Sequence, residues 1–290
     1  MASTGSTTRD LVTPLGVTGS TGRLGGRVAR LLAAADVQQR LLCRTPAKAP
    51  VLPGTEVVPA SYGDRDAVRR ALDGLDTVLM VSGSESADRL EEHRTFVDAA
   101  VEAGVRHLVY VSFYGAAPDA TFTLVRDHFA TEQMVERSGM EWTFLRDNLY
   151  LDFFPLLADD DGVIRGPAGD GRVAAVAQDD IAACAVAVLL DPAAHTGRAY
   201  SLTGPESPTL AEAAETMTRV LGRPFRFEDE SVEAAYASRS SYGAPDWQLD
   251  AWVSTYTAIA AGELEQVTDD VHRLTGRAPM SLADVLGGQG

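Results

Sequence analysis

Short apolar runs alternate with amphipathic stretches through the first two-thirds of the chain. Leu15-Gly16-Val17, with Pro14 at its edge, reads as a short strand. Residues 22–35 read as a helix with Leu24, Val28, Leu31 and Leu32 on one face. Residues 37–43 and 56–59 give two more strands, and residues 64–73 a helix whose acidic first turn suits the helix dipole. Residues 77–81 carry almost no polar side chain and read as a buried strand. Residues 88–103 follow as a helix closed by Gly104, with Leu90, Val97, Ala100 and Val101 inward. Residues 107–112, 126–137 and 142–145 add a strand, a helix and a strand. Apolar strands separated by helices imply a parallel sheet covered on both faces and joined by right-handed crossovers. That is a doubly wound α/β architecture of the Rossmann type.

The rhythm changes after Asn148. Residues 159–162 and 166–171 are turn-rich, and residues 179–190 read as a helix packing back on the sheet. A strand at 199–202 and helices at 210–221, 231–237 and 247–261 follow. The expected division is a disordered tail over 1–11, a Rossmann domain over 12–148 and a smaller C-terminal α/β lobe over 149–290. Segments of that lobe return to the sheet, and no low-complexity linker separates the two parts.

Chemistry enters at the first strand-to-helix turn, Gly19-Ser20-Thr21-Gly22-Arg23-Leu24-Gly25. One glycine of such a turn permits a tight bend, one lets a pyrophosphate approach the backbone, and one lets helix and strand pack closely. The helix N-terminus then offers N–H groups and positive partial charge to phosphates. A dinucleotide site is therefore expected here. NAD enzymes usually carry an acidic residue at the end of the second strand; this chain has Arg44, with Lys48 close behind. A guanidinium suits a ribose 2′-phosphate, which turns the expectation toward NADP(H). Arg23, inside the turn, is a second candidate for that phosphate. Ser82, Gly83 and Ser84, ending the fourth strand, are expected along the cofactor ribose. Ser112-Phe113-Tyr114 ends the fifth strand at the same edge, where ligands of open α/β sheets bind.

Composition narrows the partners. The formal net charge is −16, from 41 acidic and 25 basic side chains, which disfavours nucleic acid and anionic membranes. No apolar run approaches the roughly 20 residues of a membrane span. The N-terminus lacks the apolar core of a signal peptide, and the two cysteines, Cys43 and Cys184, build no disulfide framework. The expectation is a cytoplasmic protein acting on a small molecule, with a homodimer as one possible assembly.

These motifs resemble the NmrA-like group of atypical short-chain dehydrogenases/reductases, and within it the type-2 NAD(P)H:quinone oxidoreductase branch. The resemblance rests on residues 18–25 and on Cys43-Arg44-Thr45-Pro46-Ala47-Lys48. It continues through Tyr62-Gly63-Asp64, Ser82-Gly83-Ser84-Glu85, Tyr110-Val111-Ser112, His128-x3-Glu132, Leu145-Arg146-Asp147-Asn148 and Gly169-Asp170-Gly171. It spans nearly the whole chain and loosens toward the C-terminus. It implies that residues 19–24 hold the pyrophosphate, Arg44 the 2′-phosphate and Ser82 to Ser84 the ribose. It also places Asn148, Leu149 and Tyr150 near nicotinamide and substrate, with Gly171 shaping the pocket. The group contains hydride-transferring enzymes and non-catalytic NADP(H) sensors that act through a protein partner. The first reading gives reduction of a quinone or similar conjugated electrophile; the sensor is the alternative.

One departure bears on mechanism. Ordinary short-chain dehydrogenases carry Tyr-x-x-x-Lys on the helix after the fifth strand, whereas this chain reads Leu124-Val125-Arg126-Asp127-His128. Quinone reduction tolerates that loss, because positioning of donor and acceptor does most of the work. His128 either supplies a proton, its ordinary pKa lying in the useful range, or is a structural helix histidine. Tyr114 either donates a hydrogen bond to substrate or packs. Ser112 is the third catalytic candidate. Phe113, Tyr150 and Phe153 are substrate-side candidates, although the Phe153-Phe154-Pro155 cluster serves equally to dock the second lobe. Trp247 and Trp252 read as core or subunit contact. Asp159-Asp160-Asp161 lacks the spaced ligands of a calcium loop, so no metal is expected. His93, His107, His195 and His272 show no partner pattern.

Overall fold

The computed structural model describes residues 14–288; the expected N-terminal tail lies outside the described residues. The chain runs β1 (Leu15–Thr18), α1 (Arg23–Ala34), β2 (Gln39–Cys43), β3 (Thr55–Pro59), α2 (Arg65–Leu72), β4 (Thr77–Val81) and α3 (Arg89–Glu102). It continues with β5 (His107–Phe113), α4 (Thr123–Arg137), β6 (Glu141–Asp147), β7 (Val163–Gly166), α5 (Gln178–Leu190) and β8 (Arg198–Leu202). The last elements are α6 (Leu210–Leu221), β9 (Arg226–Asp229), α7 (Val232–Arg239), α8 (Asp246–Ala260), α9 (Asp270–Thr275) and α10 (Leu282–Gly287). Seven strands form one sheet in the order β3-β2-β1-β4-β5-β6-β8, with every neighbouring pair parallel. The order reverses between β1 and β4, which opens a crevice at the carboxyl ends of those strands.

Side chains alternate across the strands and feed two cores. Val17, Leu41, Leu79, Val109, Val111 and Leu145 pack against Leu24, Val28 and Leu32 of α1 and Ile181 and Val188 of α5. Val78, Met80, Leu108, Tyr110 and Phe144 face the other way, onto Val68 and Leu72 of α2, Phe96 of α3 and Val135 of α4. The sheet is thus covered on both sides, as its apolar strands require. Leu31 and Val101, expected inward, are 42% and 43% exposed. The buried stripe of α1 runs through Leu24, Val28 and Leu32, leaving Leu31 at its rim, and Phe96 takes the central inward position on α3.

A third core joins the loops above the sheet to the C-terminal elements. It includes Phe113, Phe122, Leu151, Phe154, Ile164, Met217, Ile259 and Leu282. Over it lies a two-stranded parallel sheet of β7 and β9. This small sheet, the 3-10 segment Leu151–Leu157 and the short helices α9 and α10 are absent from the sequence expectation. Strand β8 and helix α5 belong to the main sheet layers, although they follow Asn148 in the chain.

Candidate functional site

The glycine turn sits at the switch between β1 and β4. Gly19 has φ +64°, a conformation that a side chain at Cβ strains. A Cβ on Gly25 would lie 2.5 Å from the Gly19 carbonyl oxygen and 2.6 Å from that of Thr18. Gly25 therefore lets the first turn of α1 press on the end of β1. Gly22 is the N-cap of α1 and no side chain caps it, so the first N–H groups of the helix face outward unmatched. Ser20 and Leu24 are buried beneath the turn, while Thr21, Gly22 and Arg23 are exposed on it. Such a turn offers backbone N–H groups of the kind that bind phosphates. The crevice walls are pinned by the Thr18 hydroxyl, which accepts from the Val81 N–H at 2.9 Å, and by Tyr62, which donates to the Val81 carbonyl at 2.6 Å.

Arg44 is exposed at the end of β2 and reaches across the crevice to within 3.5 Å of the Ser84 hydroxyl. Among the described residues no carboxylate pairs with it; Arg27 and Arg40, by contrast, are each held by acidic side chains. Lys48 is exposed in the 3-10 turn that follows β2. Arg23 behaves differently from expectation. Its guanidinium lies 5.2 Å from the centre of the Phe153 ring, against the segment after β6.

The turn after β4 has an anchor that sequence reasoning missed. The Gly83 N–H donates to His93 Nε2 at 2.8 Å, and His93 Nδ1 donates to the Thr131 hydroxyl at 2.9 Å. Burial, and secondarily the Arg89 charge, pull the His93 pKa down to about 3. Its imidazole is neutral and acts as a spacer that fixes the Ser82-Gly83-Ser84 turn. A depressed histidine pKa stabilises the fold above the unfolded value of 6.5, and that contribution is lost as pH falls toward 3. The stability advantage of the wild type over His93→Gln should therefore shrink by ~1.4 kcal/mol per pH unit below 6.5, measured by urea unfolding. A constant difference across that window would show that His93 does not stay neutral.

Two expected catalytic residues turn out to be engaged inside the protein. Ser112 is fully buried and donates to Glu132 Oε1 at 2.6 Å; Arg146 holds the same carboxylate through Nε at 2.9 Å and Nη2 at 2.6 Å. Ser112 thus points to the α4 side of the sheet. His128 is 6% exposed. Arg89 Nη2 lies 2.8 Å from His128 Nε2, and a guanidinium only donates, so the ring proton sits on Nδ1, 3.0 Å from the Tyr110 hydroxyl. Burial first, then the Arg89 charge, push its pKa well below the ordinary value. His128 is neutral, with its Nδ1 proton directed at the Tyr110 hydroxyl. Phe113 is likewise core, edge-on to Phe122 at 5.4 Å. Tyr114 is half-buried, and its hydroxyl makes no hydrogen bond among the described residues.

The end of β6 is the busiest part of the site. Asn148 is fully buried: its Nδ2 donates to the Leu264 carbonyl at 3.0 Å, and its Oδ1 accepts from the Leu149 N–H at 2.8 Å. It ties the sheet to the loop after α8. Asp147, the last residue of β6, is buried and accepts a 2.8 Å hydrogen bond from the Tyr150 hydroxyl. Tyr150 and Phe153 open the wall of a cavity of about 620 Å³. Its far side comes from Tyr242, Trp252, Tyr256 and Ile259. Trp252, expected in core or at a subunit contact, is thus a wall of this cavity. Arg165 and Arg239 also line it, but Arg165 is paired with Asp159 and Glu228, and Arg239 with Glu230. The cavity is apolar and aromatic in effect. Phe153 and Phe154 both line it, and Phe154 is also part of the core that docks the lobe, so the cluster does both jobs. Gly171 lies behind the wall: a Cβ there would meet the Ile259 carbonyl oxygen at 2.2 Å. It lets the end of α8 approach rather than touching the cavity.

A parallel sheet with this strand order, a glycine turn feeding an uncapped helix and a crevice at the switch point define a dinucleotide-binding protein of the Rossmann type. The chain belongs to the family described as NAD(P)H-binding, whose model matches residues 19–192. It is 38% identical over 275 residues to the (4-alkanoyl-5-oxo-2,5-dihydrofuran-3-yl)methyl phosphate reductase of Streptomyces griseus, covering 92% of this chain and 95% of that protein. It is 32% identical over 277 residues to quinone oxidoreductase 2 of Escherichia coli, covering 93% and 96%. Among solved structures it resembles the NADPH-dependent quinone oxidoreductase QOR2 of Escherichia coli complexed with NADPH. There the TM-score is 0.86 and the identity 31%, over 95% of this chain and 99% of that one. NmrA, a negative transcriptional regulator, shares the fold at 15% identity and a TM-score of 0.77. This chain is an NAD(P)H-dependent oxidoreductase. Among the described residues no helix is long and apolar enough to cross a membrane, and no cluster of His, Cys, Asp and Glu has metal-binding geometry.

Proposed function

We propose that this protein is an NADPH-preferring reductase of flat, conjugated carbonyl acceptors, with quinones the first class to test. The observation that carries the proposal is the aromatic cavity, which meets the glycine turn through the contact of Arg23 with Phe153. A volume near 620 Å³ suits a ring system with a substituent. Paired arginines leave it without a net cation to demand an anionic group. The curated relatives act, by name, on a quinone and on an unsaturated lactone, which share a carbonyl conjugated to an electron-poor double bond.

When bound, the cofactor supplies hydride. The chain's residues do the remaining work. The turn over Gly19, Ser20, Thr21, Gly22, Arg23, Leu24 and Gly25 holds the pyrophosphate, and Arg44 with Lys48 the 2′-phosphate. The Ser82-Gly83-Ser84 turn, braced by His93, lies along the ribose. Tyr150 and Phe153 align the acceptor and exclude water. The alternative of a non-catalytic sensor gains nothing from NmrA, whose likeness at 15% identity is one of fold. Two buried free cysteines fit a reducing compartment, and we place the enzyme in the cytoplasm. Purified protein with NADPH and a quinone panel should consume the nicotinamide absorbance band. Tight NADPH binding without turnover on any acceptor would overturn the proposal.

A further inference from the structure

The chain lacks the tyrosine–lysine pair on α4, and Ser112 and His128 are both buried and hydrogen-bonded inside the protein. A conjugated acceptor that has taken hydride still needs a proton on oxygen or on carbon. Resting on the function proposed above, the donor must be a hydroxyl or carboxyl group on a residue that lines the cavity, with a second group behind it to refill it. Tyr114 has a free hydroxyl but no such partner, and it does not line the cavity. Tyr150 has both: its ring lines the cavity, and its hydroxyl is 2.8 Å from Asp147 Oδ2.

We propose that Tyr150 and Asp147 form a two-residue proton relay, Tyr150 passing its hydroxyl proton to the anionic oxygen of the reduced acceptor and Asp147 refilling Tyr150. In the step, the Tyr150 O–H bond breaks as an O–H bond forms on the acceptor. The Asp147 carboxyl O–H then breaks as the Tyr150 hydroxyl is restored. Asp147 is left a carboxylate, and solvent reprotonates it through Tyr150 after product leaves. The hydride comes from the established NAD(P)H-dependent activity, so no further reductant is needed.

The surroundings keep a proton on this pair. Asp147 is 2% exposed, at the end of a central strand. Burial drives its pKa well up, and the Tyr150 hydrogen bond and the Arg89 charge oppose the rise. Burial raises Tyr150 as well, followed by the Asp147 charge. The charged and titratable groups around the pair are few. Arg89 comes from α3 with His128 of α4 on its far side, Tyr114 donates its backbone N–H to the Asp147 carbonyl, and Asp152 follows Tyr150 in the loop. Asp152 is already held by Arg27 at 2.9 Å. A buried acid therefore stands behind the hydroxyl of a residue that lines the substrate cavity.

The relay matters most where the reduced acceptor is a strong base. A hydroquinone anion is weakly basic and takes its proton from water, whereas the enolate of an unsaturated lactone or ketone must be protonated as it forms. Tyr150→Phe should therefore lower kcat on an unsaturated lactone by about 100-fold or more, the usual size of a general-acid contribution, and lower the quinone rate by a smaller factor. NADPH affinity, followed by quenching of tryptophan fluorescence, should stay within a fewfold of wild type. Asp147→Asn keeps the shape. It should remove the fall of lactone kcat at rising pH that marks loss of the Asp147 proton, and it should remove the protonated-carboxyl C=O band from infrared difference spectra of the NADPH-bound protein. Retention of that band and that pH limb in Asp147→Asn would overturn the relay. So would normal lactone turnover in Tyr150→Phe, or a large loss in Tyr114→Phe instead. The infrared readout needs no turnover, so the relay stands or falls separately from the choice of acceptor.

Discussion

Gly25→Ala should abolish tight NADPH binding and lower the melting temperature, while Gly22→Ala should do much less. The two glycines occupy one turn, but a methyl group meets different neighbours at each. At Gly25 the added Cβ would lie 2.5 Å from the Gly19 carbonyl oxygen and 2.6 Å from the Gly19 carbon and the Thr18 oxygen. All three are backbone atoms at the end of a central strand, so no side chain can swing aside. At Gly22 the nearest atom is the Gly19 oxygen at 3.2 Å, a contact that a small shift relieves. Overpacking of this kind costs about 1–3 kcal/mol when neighbours can adjust. Here the adjustment must move α1 off β1, and with it the N–H groups that face the pyrophosphate. The expected loss in NADPH affinity is therefore about 100-fold or more, since ~1.4 kcal/mol corresponds to tenfold. Isothermal titration and thermal unfolding of both variants test it. Equal affinity in the two alanine variants would show that the close packing of α1 on β1 does not set the cradle.

The contrast explains which parts of the protein were legible in the amino-acid order. The Rossmann half was, because it is written in local signals. Apolar strands, amphipathic helices and a glycine turn between β1 and α1 are each read within a dozen residues. The ends of elements were less legible for a physical reason. Strand β6 was expected to stop at Leu145, before the charges of Arg146 and Asp147, yet it runs on to Asp147. Both side chains find partners, Arg146 in Glu132 of α4, 14 residues away, and Asp147 in Tyr150 of the following loop. Strands β7 and β9 escaped because Val163–Gly166 and Arg226–Asp229 are short, partly charged and find each other across more than 60 residues.

Residues at the site divided along the same line. Those set by backbone shape, the glycines, could be foreseen from spacing. Those set by side-chain orientation could not. Ser112 and Tyr110 share one face of β5, turned toward α4, and only the register of the sheet reveals that Ser112 meets Glu132 rather than a ligand. His93 looked idle in the sequence because its partners, Gly83 and Thr131, lie 10 and 38 residues away. Trp252 and Tyr256 come to the cavity from a helix whose inward face no local pattern marks.

Arg44→Asp should reverse the cofactor preference, raising the NADPH dissociation constant by about 100-fold while leaving NADH within a fewfold. The argument is one of charge and of reach. Arg44 stands at the end of β2, on the rim of the crevice, exposed and with no carboxylate paired to it among the described residues. An arginine already neutralised, as Arg40 is by Glu56, has less to offer a phosphate dianion. Charge-assisted hydrogen bonds to such a group are worth about 1.5–3 kcal/mol, and a carboxylate in its place adds repulsion. For NADH the same carboxylate can accept from the ribose 2′-hydroxyl, the arrangement NAD enzymes use. Arg23 does not share this task, since its guanidinium lies over Phe153. Arg23→Ala should therefore weaken both cofactors alike, through the pyrophosphate, and leave their ratio unchanged. Fluorescence titration of the two variants with both nucleotides separates these effects. If Arg44→Asp weakened NADPH and NADH equally, the 2′-phosphate would have to be read elsewhere, with Lys48 the next residue to replace.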